Sequence, residues 1–341
     1  MATKKVTSLE VAKLAGVSQS AVSRVFTPGA SVSKKTNEKV RSAASELGYR
    51  PNVLARSLIT GKSRIIGLVV SHLDNYFYPE ALELLSNALQ KKGYHVLVFM
   101  ASKTSGNIDD VVDEILDYQV DAIILASIAM SSNLANRCVA AGVPVMLFNR
   151  SQDDDRFSTV TSDNFLGGQK VARFLIAGGH KRIGYIAGWE GASTQHDREA
   201  GFIEELKQHG SSLYAREVGN FNQDEARQAT RKMFSKKEIP DAVFVASDDM
   251  AFAVMDVIRF ELELKIPEQV SVVGYDDVPV ASWPAYDLTT VRQPANRMVA
   301  ETVSIILECI ENPETKSLRI EIDGPLILRG SAKISDKSNK E

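Results

Sequence analysis

Twenty residues near the N-terminus, TSLEVAKLAGVSQSAVSRVF from Thr7 to Phe26, hold two short helical patterns with one glycine between them. So tight a pair of helices reads as a helix-turn-helix. Thr7 followed three residues later by Glu10 predicts a capping box opening the first helix, with Leu9, Ala12, Leu14 and Ala15 as its apolar face. Gly16 ends that helix, Val17 turns inward, and Ser18 opens a second helix whose buried stripe is Ala21, Val22 and Val25. Left outside are Gln19, Ser20, Ser23 and Arg24, which are small or forked hydrogen-bonding side chains with no carboxylate among them. That chemistry suits a major groove lined by base edges and flanked by phosphates. An amphipathic hairpin carried on an enzyme would share the pattern, so the surrounding charge matters.

The charge is unevenly divided. Residues 1–64 contain twelve Lys and Arg against Glu10, Glu38 and Glu46, while the other residues hold 28 basic and 40 acidic side chains. The overall charge of −3 therefore conceals a basic head on an acidic body, and a polyanion is the partner such a head suits. At 341 residues the chain is too long for one ordinary core, and two or three domains are expected. MATKKVTS leads directly into the first helix without an apolar signal region, and no run reaches the roughly 18 apolar residues that span a bilayer, so a cytoplasmic protein is expected. Cys138 and Cys309 stand alone, without CxxC or histidine spacing, and read as reduced core thiols rather than a bridge or metal site.

Beyond the turn TPGASVS, Thr36 is expected to cap a third helix buried through Val40, Ala43, Ala44 and Leu47 and stopped by Gly48. Thr7, Ser18 and Thr36 join the four outward residues as candidate DNA contacts. Pro51 then favours a break before it and a helix after it, and Val53 to Ile59 is one helical segment too short to be stable alone. Gly61-Lys62-Ser63 lacks the upstream glycine of a phosphate-binding loop, since Arg56 occupies that place. From Arg64 onward strands alternate with helices. Strands are expected at 65–70, 95–100, 122–126, 144–148, 183–187, 214–218, 242–246, 270–275 and 318–323, with helices at 80–92, 109–118, 133–141, 197–209, 224–235, 250–262 and 297–311. This predicts two doubly wound parallel sheets. SAKISDKSNKE at the end is polar and reads as a disordered tail without the apolar heptads of a tetramerisation helix.

VTSLEVAKLAGVSQSAVSRVF, then VSKKT, then ELGYRPNVLARSL resembles the headpiece of the lac repressor and galactose repressor family, and the likeness continues through the chain. Thr27 stands where that family commonly has Asn, and Gln19-Ser20 is this chain's own pair at the base-reading positions. The resemblance implies an all-α helix-turn-helix headpiece (1–51), a hinge helix and linker (52–63), a two-lobed periplasmic-binding-protein-like α/β core (64–330), and a tail (331–341). Its first lobe would be about 64–160 with 292–322, and its second about 161–291 with 323–330. It also implies that Leu58 wedges into the minor groove, with Ala55 beside it, Asn52 at the start of the hinge and Arg56 near phosphate.

In doubly wound sheets ligands sit outside the carboxyl ends of the strands, which draws attention to Ser71, Asn75 and Phe77 after the first strand and to Asn149-Arg150 after the fourth. Matched to the family motif by motif, Arg198 in RxxGF, Asp248 in ASDDMA and Asp276 in GYDD fall where the effector is held, as do Asn75, Phe77, Asn149 and Phe221. Carboxylates and a guanidinium for vicinal hydroxyls, with aromatic rings for an apolar sugar face, make this a carbohydrate site. GxSxG, HExxH and a complete Walker A are missing, and the pairs Asp248-Asp249 and Asp276-Asp277 have no accompanying His, Cys or Lys. The expectation is a dimeric transcription regulator, a repressor, that binds a pseudo-palindromic duplex and a sugar or sugar derivative, needs no cofactor or metal, and is not an enzyme or membrane protein. A solute-binding receptor and a sugar-modifying enzyme with a DNA-binding head are the rival classes.

Overall fold

The computed structural model describes residues 6–27, 29–50, 62–71, 73–101, 108–128 and 131–334. They fall into two compact units, Met1–Ser63 and Arg64–Glu341.

The first unit contains α1 (Ser8–Ala15), α2 (Gln19–Val25) and α3 (Lys34–Leu47). The capping box forms: the Thr7 amide donates to Glu10 Oε2 at 2.7 Å and the Glu10 amide to Thr7 Oγ1 at 3.4 Å. Gly16 takes the left-handed conformation (φ 65°) that returns its amide to the last carbonyls of α1. Ser18 caps α2 by accepting from the Ala21 amide at 3.2 Å. Val11, Ala12, Ala15, Val22, Val25, Val40, Ala43 and Ala44 form the core. The α1 face differs from expectation, because Leu9 and Leu14 are 49% and 47% exposed while Val11 is fully buried. The helix turns residues 11, 12 and 15 inward, which leaves 9 and 14 on its flanks. Thr36 is not the cap of α3. Ser33, extended at φ −61° and ψ 145°, accepts from the Thr36 amide at 3.2 Å, which places Thr36 within the first turn. The expected hinge segment, with Asn52, Ala55, Arg56 and Leu58, lies outside the described residues.

The second unit runs β1 (Ile65–Val70), α4 (Phe77–Lys91), β2 (His95–Met100), α5 (Ile108–Asp117), β3 (Ala122–Ala126), α6 (Ser132–Ala140), β4 (Val145–Phe148), β5 (Ser158–Ser162) and α7 (Asn164–Ala177). It continues through β6 (Ile183–Ala187), α8 (Ser193–Gln208), β7 (Ala215–Val218), α9 (Gln223–Phe234), β8 (Ala242–Val245), α10 (Asp248–Asp256) and β9 (Ser271–Asp276). It ends with β10 (Thr289–Arg292), α11 (Ala295–Glu311), β11 (Arg319–Ile322) and β12 (Leu326–Ile327). Among the described residues these strands form two six-stranded sheets, ordered β11-β5-β4-β3-β1-β2 and β12-β10-β9-β8-β6-β7. All pairings are parallel except β10 with β12. The chain passes from one sheet to the other after β5, after β10 and after β11. In each sheet strand order reverses beside the first strand, between β1 and β3 and between β6 and β8, and a crevice opens at such a switch point.

Apolar side chains such as Ile66, Leu68, Ile123 and Ile124 fill the first sheet. In the second, the rings of Tyr185, Phe202 and Phe244 meet at centroid distances of 4.9 to 5.8 Å. The expected alternation holds, with four elements added: β5 and α7, between Phe148 and Ile183, and the short strands β10 and β12. STVTS has the composition of a turn, yet all five residues are buried. NFLGGQKVARFLIA has two interior glycines that disfavour a helix, and packing overrides the propensity. A Cβ on Gly168 would lie 2.1 Å from the Arg198 carbonyl oxygen, and one on Gly201 would lie 2.0 Å from that of Phe165. Bare backbone on both sides lets α7 and α8 touch. Ser331, expected in the tail, is instead bonded to the second sheet: its hydroxyl donates to the Val272 carbonyl at 2.6 Å and accepts from the Thr289 amide at 2.8 Å. Residues 335–341 lie outside the description.

Candidate functional site

In the first unit the side chains of Ser18, Gln19, Ser20, Ser23 and Arg24 are all exposed, as is Thr7, while Thr36 is half-buried. The inward positions of α2 are spent on Val22 and Val25, so helical periodicity alone puts the polar set outside. Gln19 Nε2 donates to Ser8 Oγ at 2.8 Å, and the Ser18 and Ser20 hydroxyls lie 2.9 Å apart. These contacts hold the N-terminal turn of α2 in one arrangement. Thr27 donates its hydroxyl to the Ser23 carbonyl at 2.8 Å, closing the end of the same helix.

In the second unit a cavity of about 520 Å³ lies between the carboxyl ends of the two sheets. Seven of the predicted residues line it: Ser71, Asn75, Phe77, Asn149, Arg198, Phe221 and Asp276. The loops after β1 and β4 carry Ser71, Asn75 and Asn149, the loop after β7 carries Phe221, and Asp276 is the last residue of β9. Arg198 projects from α8. Ser127, Asn149, Asn220, Phe221 and Asp276 all hold φ between 53° and 130°, a strained backbone for residues with side chains. The strain concentrates where strand ends must turn polar groups into the crevice. Phe221 reaches it because Gly188 has no side chain, since a Cβ there would meet the Phe221 ring at 2.2 Å.

Arg198 is the centre of the site. Its Nε donates to Asn164 Oδ1 at 2.8 Å, one terminal nitrogen to the Ala246 carbonyl at 2.5 Å, and the other lies 3.6 Å from Asp276 Oδ1. The guanidinium carbon sits 3.7 Å from the Tyr275 ring centroid, a cation–π contact strengthened by its burial. Gln293 donates to Asp276 Oδ1 at 2.6 Å and faces the Ser162 hydroxyl at 3.2 Å. Burial pushes the Asp276 carboxyl above its ordinary range, and Arg198 and the Gln293 and Asn75 hydrogen bonds pull it partly back. A fixed guanidinium beside such a carboxylate offers both donors and acceptors to a hydroxylated ligand.

Asp248 is the exception. It is fully buried and does not line the cavity. Its Oδ2 accepts from the Val278 amide at 3.0 Å and its Oδ1 from the Thr290 hydroxyl at 2.6 Å, so it braces the loop after β9 from behind. Burial first, and Asp276 second, push its carboxyl up to about 8. Ser247, which caps α10, faces the cavity in its place. Tyr78, Ser127, Arg150, Trp189, Thr194 and Gln293 line it as well. Ser127, Trp189 and Gln293 also lie just past strand ends, so the rule that drew attention to Ser71 and Asn149 reaches them too. Among the described residues no group of three or more His, Cys, Asp or Glu could hold a metal ion, and no helix is long and apolar enough to cross a membrane.

Residues 8–52 match the model of bacterial regulatory proteins of the lacI family, and residues 172–332 match the periplasmic binding protein-like domain. The HTH-type transcriptional repressor PurR of Vibrio vulnificus is 30% identical over 327 residues, covering 95% of this chain and 98% of that protein. The transcriptional regulator CelR in complex with cellobiose has 31% identity and a TM-score of 0.73 over 96% of this chain and all of that one. The lac repressor dimer bound to operator and the anti-inducer ONPF has 28% identity and a TM-score of 0.87 over 96% and 99%. With an exposed polar face on its helix-turn-helix and a two-sheet core that both match these relatives, the chain belongs to the lacI family, which is made of DNA-binding transcriptional regulators rather than enzymes.

Proposed function

We propose that this protein is a homodimeric repressor that acts in the cytoplasm, releasing or tightening its grip on a pseudo-palindromic operator when a sugar or sugar derivative enters the cleft. The observation that carries the effector reading is the convergence of Arg198, Asp276 and polar residues from both sheets on one cavity large enough for a small polyol. Phe77 and Phe221 supply the apolar walls on which a pyranose or furanose face stacks. In the headpiece, Gln19, Ser20, Ser23 and Arg24 read base edges, and Thr7, Ser18 and Thr36 approach the backbone. Asn52, Ala55, Arg56 and Leu58 form the hinge, with Leu58 as the minor-groove wedge. The related CelR is a complex with cellobiose and the related lac repressor is a dimer on its operator, which supports both halves of the proposal.

Control then follows from linkage. An effector that favours one arrangement of the two lobes shifts operator affinity by about 1 to 3 kcal/mol, and operator shifts effector affinity by the same factor. The test selects a duplex from a random library with the full-length protein and titrates it with and without a panel of sugars and sugar derivatives. A selected duplex with two half-sites whose affinity changes with one panel member is the expected result. No preference over bulk competitor DNA in any of these conditions would sink the proposal.

A further inference from the structure

Arg150 follows β4 and points into the cleft, where it is only 4% exposed. One terminal nitrogen donates to the Ser127 carbonyl and hydroxyl at 3.1 and 3.0 Å. The other two nitrogens, Nε and Nη1, are buried and have no hydrogen-bond partner among the described residues. The neighbouring Asn149 is equally incomplete, since its amide donates to the Tyr78 hydroxyl at 3.1 Å while its Oδ1 is buried and unpartnered.

The charges around this pair are unbalanced. No described carboxylate forms an ion pair with Arg150. Of the two carboxylates lining the cavity, Asp276 is held by Arg198 and Gln293, and Glu225 is exposed and accepts from Asn220 at 2.5 Å. Arg198 adds a second positive charge, and Trp189 covers Arg150 at 5.9 Å from its ring centroid. A guanidinium does not release its proton, so a buried one without a counterion is a standing cost to the empty protein. A ligand removes that cost by bringing the missing anion. Asn149 Oδ1 asks for something different, a donor such as a hydroxyl beside that anion.

Building on the effector reading of the cleft, we propose that the effector is a hydroxylated anion whose carboxylate or phosphate occupies Arg150 and whose adjacent hydroxyl donates to Asn149. A sugar acid and a sugar phosphate share this chemistry. A neutral sugar satisfies Asn149 but leaves the guanidinium uncompensated.

Calorimetric titration of the full-length protein with matched sets tests this: glucose with glucuronate and glucose 6-phosphate, and galactose with galacturonate and galactose 6-phosphate. The anionic member of at least one set should bind about 10- to 100-fold more tightly than its neutral parent, the range of charge-assisted hydrogen bonds. Arg150→Gln should erase that gap, while Arg150→Lys should keep part of it. Uronate against 6-phosphate decides between carboxylate and phosphate. Equal binding of neutral and anionic members, or a Gln variant that weakens both alike, overturns the proposal and leaves the cleft reading intact. If Arg198→Ala binds every probe as the natural protein does, the cleft reading itself fails. Should no sugar bind, inorganic phosphate becomes the deciding probe: it should raise Tm more in the natural protein than in Arg150→Gln, and an equal rise overturns the proposal.

Discussion

The headpiece and the cleft put polar side chains to use in opposite ways. On α2 the candidate DNA contacts are those that helical periodicity leaves in water, where all are exposed. In the cleft Arg198, Asp276 and Asn149 are almost completely buried, and Arg198 and Asp276 commit most of their hydrogen-bonding capacity within the protein. The difference teaches where specificity is stored. A reader of DNA is changed by exchanging exposed side chains, whereas a holder of small molecules depends on a pre-set network in which one member fixes the next.

The comparison breaks most visibly at Arg198. Arg198→Ala leaves Asp276 buried without its counterion, expected to lower core stability by about 3 to 5 kcal/mol, and removes any effector influence on operator binding. Calorimetry and operator titration check both, and operator affinity without effector should persist. Loss of operator binding as well would make Arg198 a general folding residue. On α2 the outcome is reversed. Gln19→Ala should cost about 1 to 3 kcal/mol of discrimination between the selected duplex and a scrambled one, without moving the melting of the core.

Ser247 and Asp248 sharpen the contrast within the cleft. Ser247→Ala should weaken effector binding by about 0.5 to 1.5 kcal/mol, while Asp248→Asn should leave it unchanged. Asp248→Asn has its own signature in pH. Because burial raises the folded-state value from 3.8 to about 8, the folded protein holds the proton longer than the unfolded chain. The contribution of this carboxyl to stability is therefore greatest below 3.8 and is lost as pH rises toward about 8. Denaturant titrations across that window should show a shallower fall in the Asn variant. The smallest effect belongs to the cap of α3: Ser33→Ala should cost about 1 kcal/mol and Thr36→Val much less, read from hydrogen exchange in that helix.

Much of the core was readable because its strands are apolar runs and its helices amphipathic. β5 and α7 escaped, since buried Ser and Thr resemble a loop and paired glycines resemble a helix break. Their logic lies across space, in the backbone of α8 that Gly168 admits. The choice between Ser247 and Asp248 had the same origin. Both follow β8, and only the loop after β9, which supplies the Val278 amide, and Thr290 on β10 show which one is turned away.

The order of residues alone determined a basic helix-turn-helix head, two α/β sheets and the strand ends that line the crevice, because each rests on local periodicity, capping and charge. That Asp248 turns away from the crevice and Ser247 turns into it was decided only by the fold. A buried polar group is directed by partners tens or hundreds of residues away, and the free energy of satisfying it is not written in its neighbours along the chain.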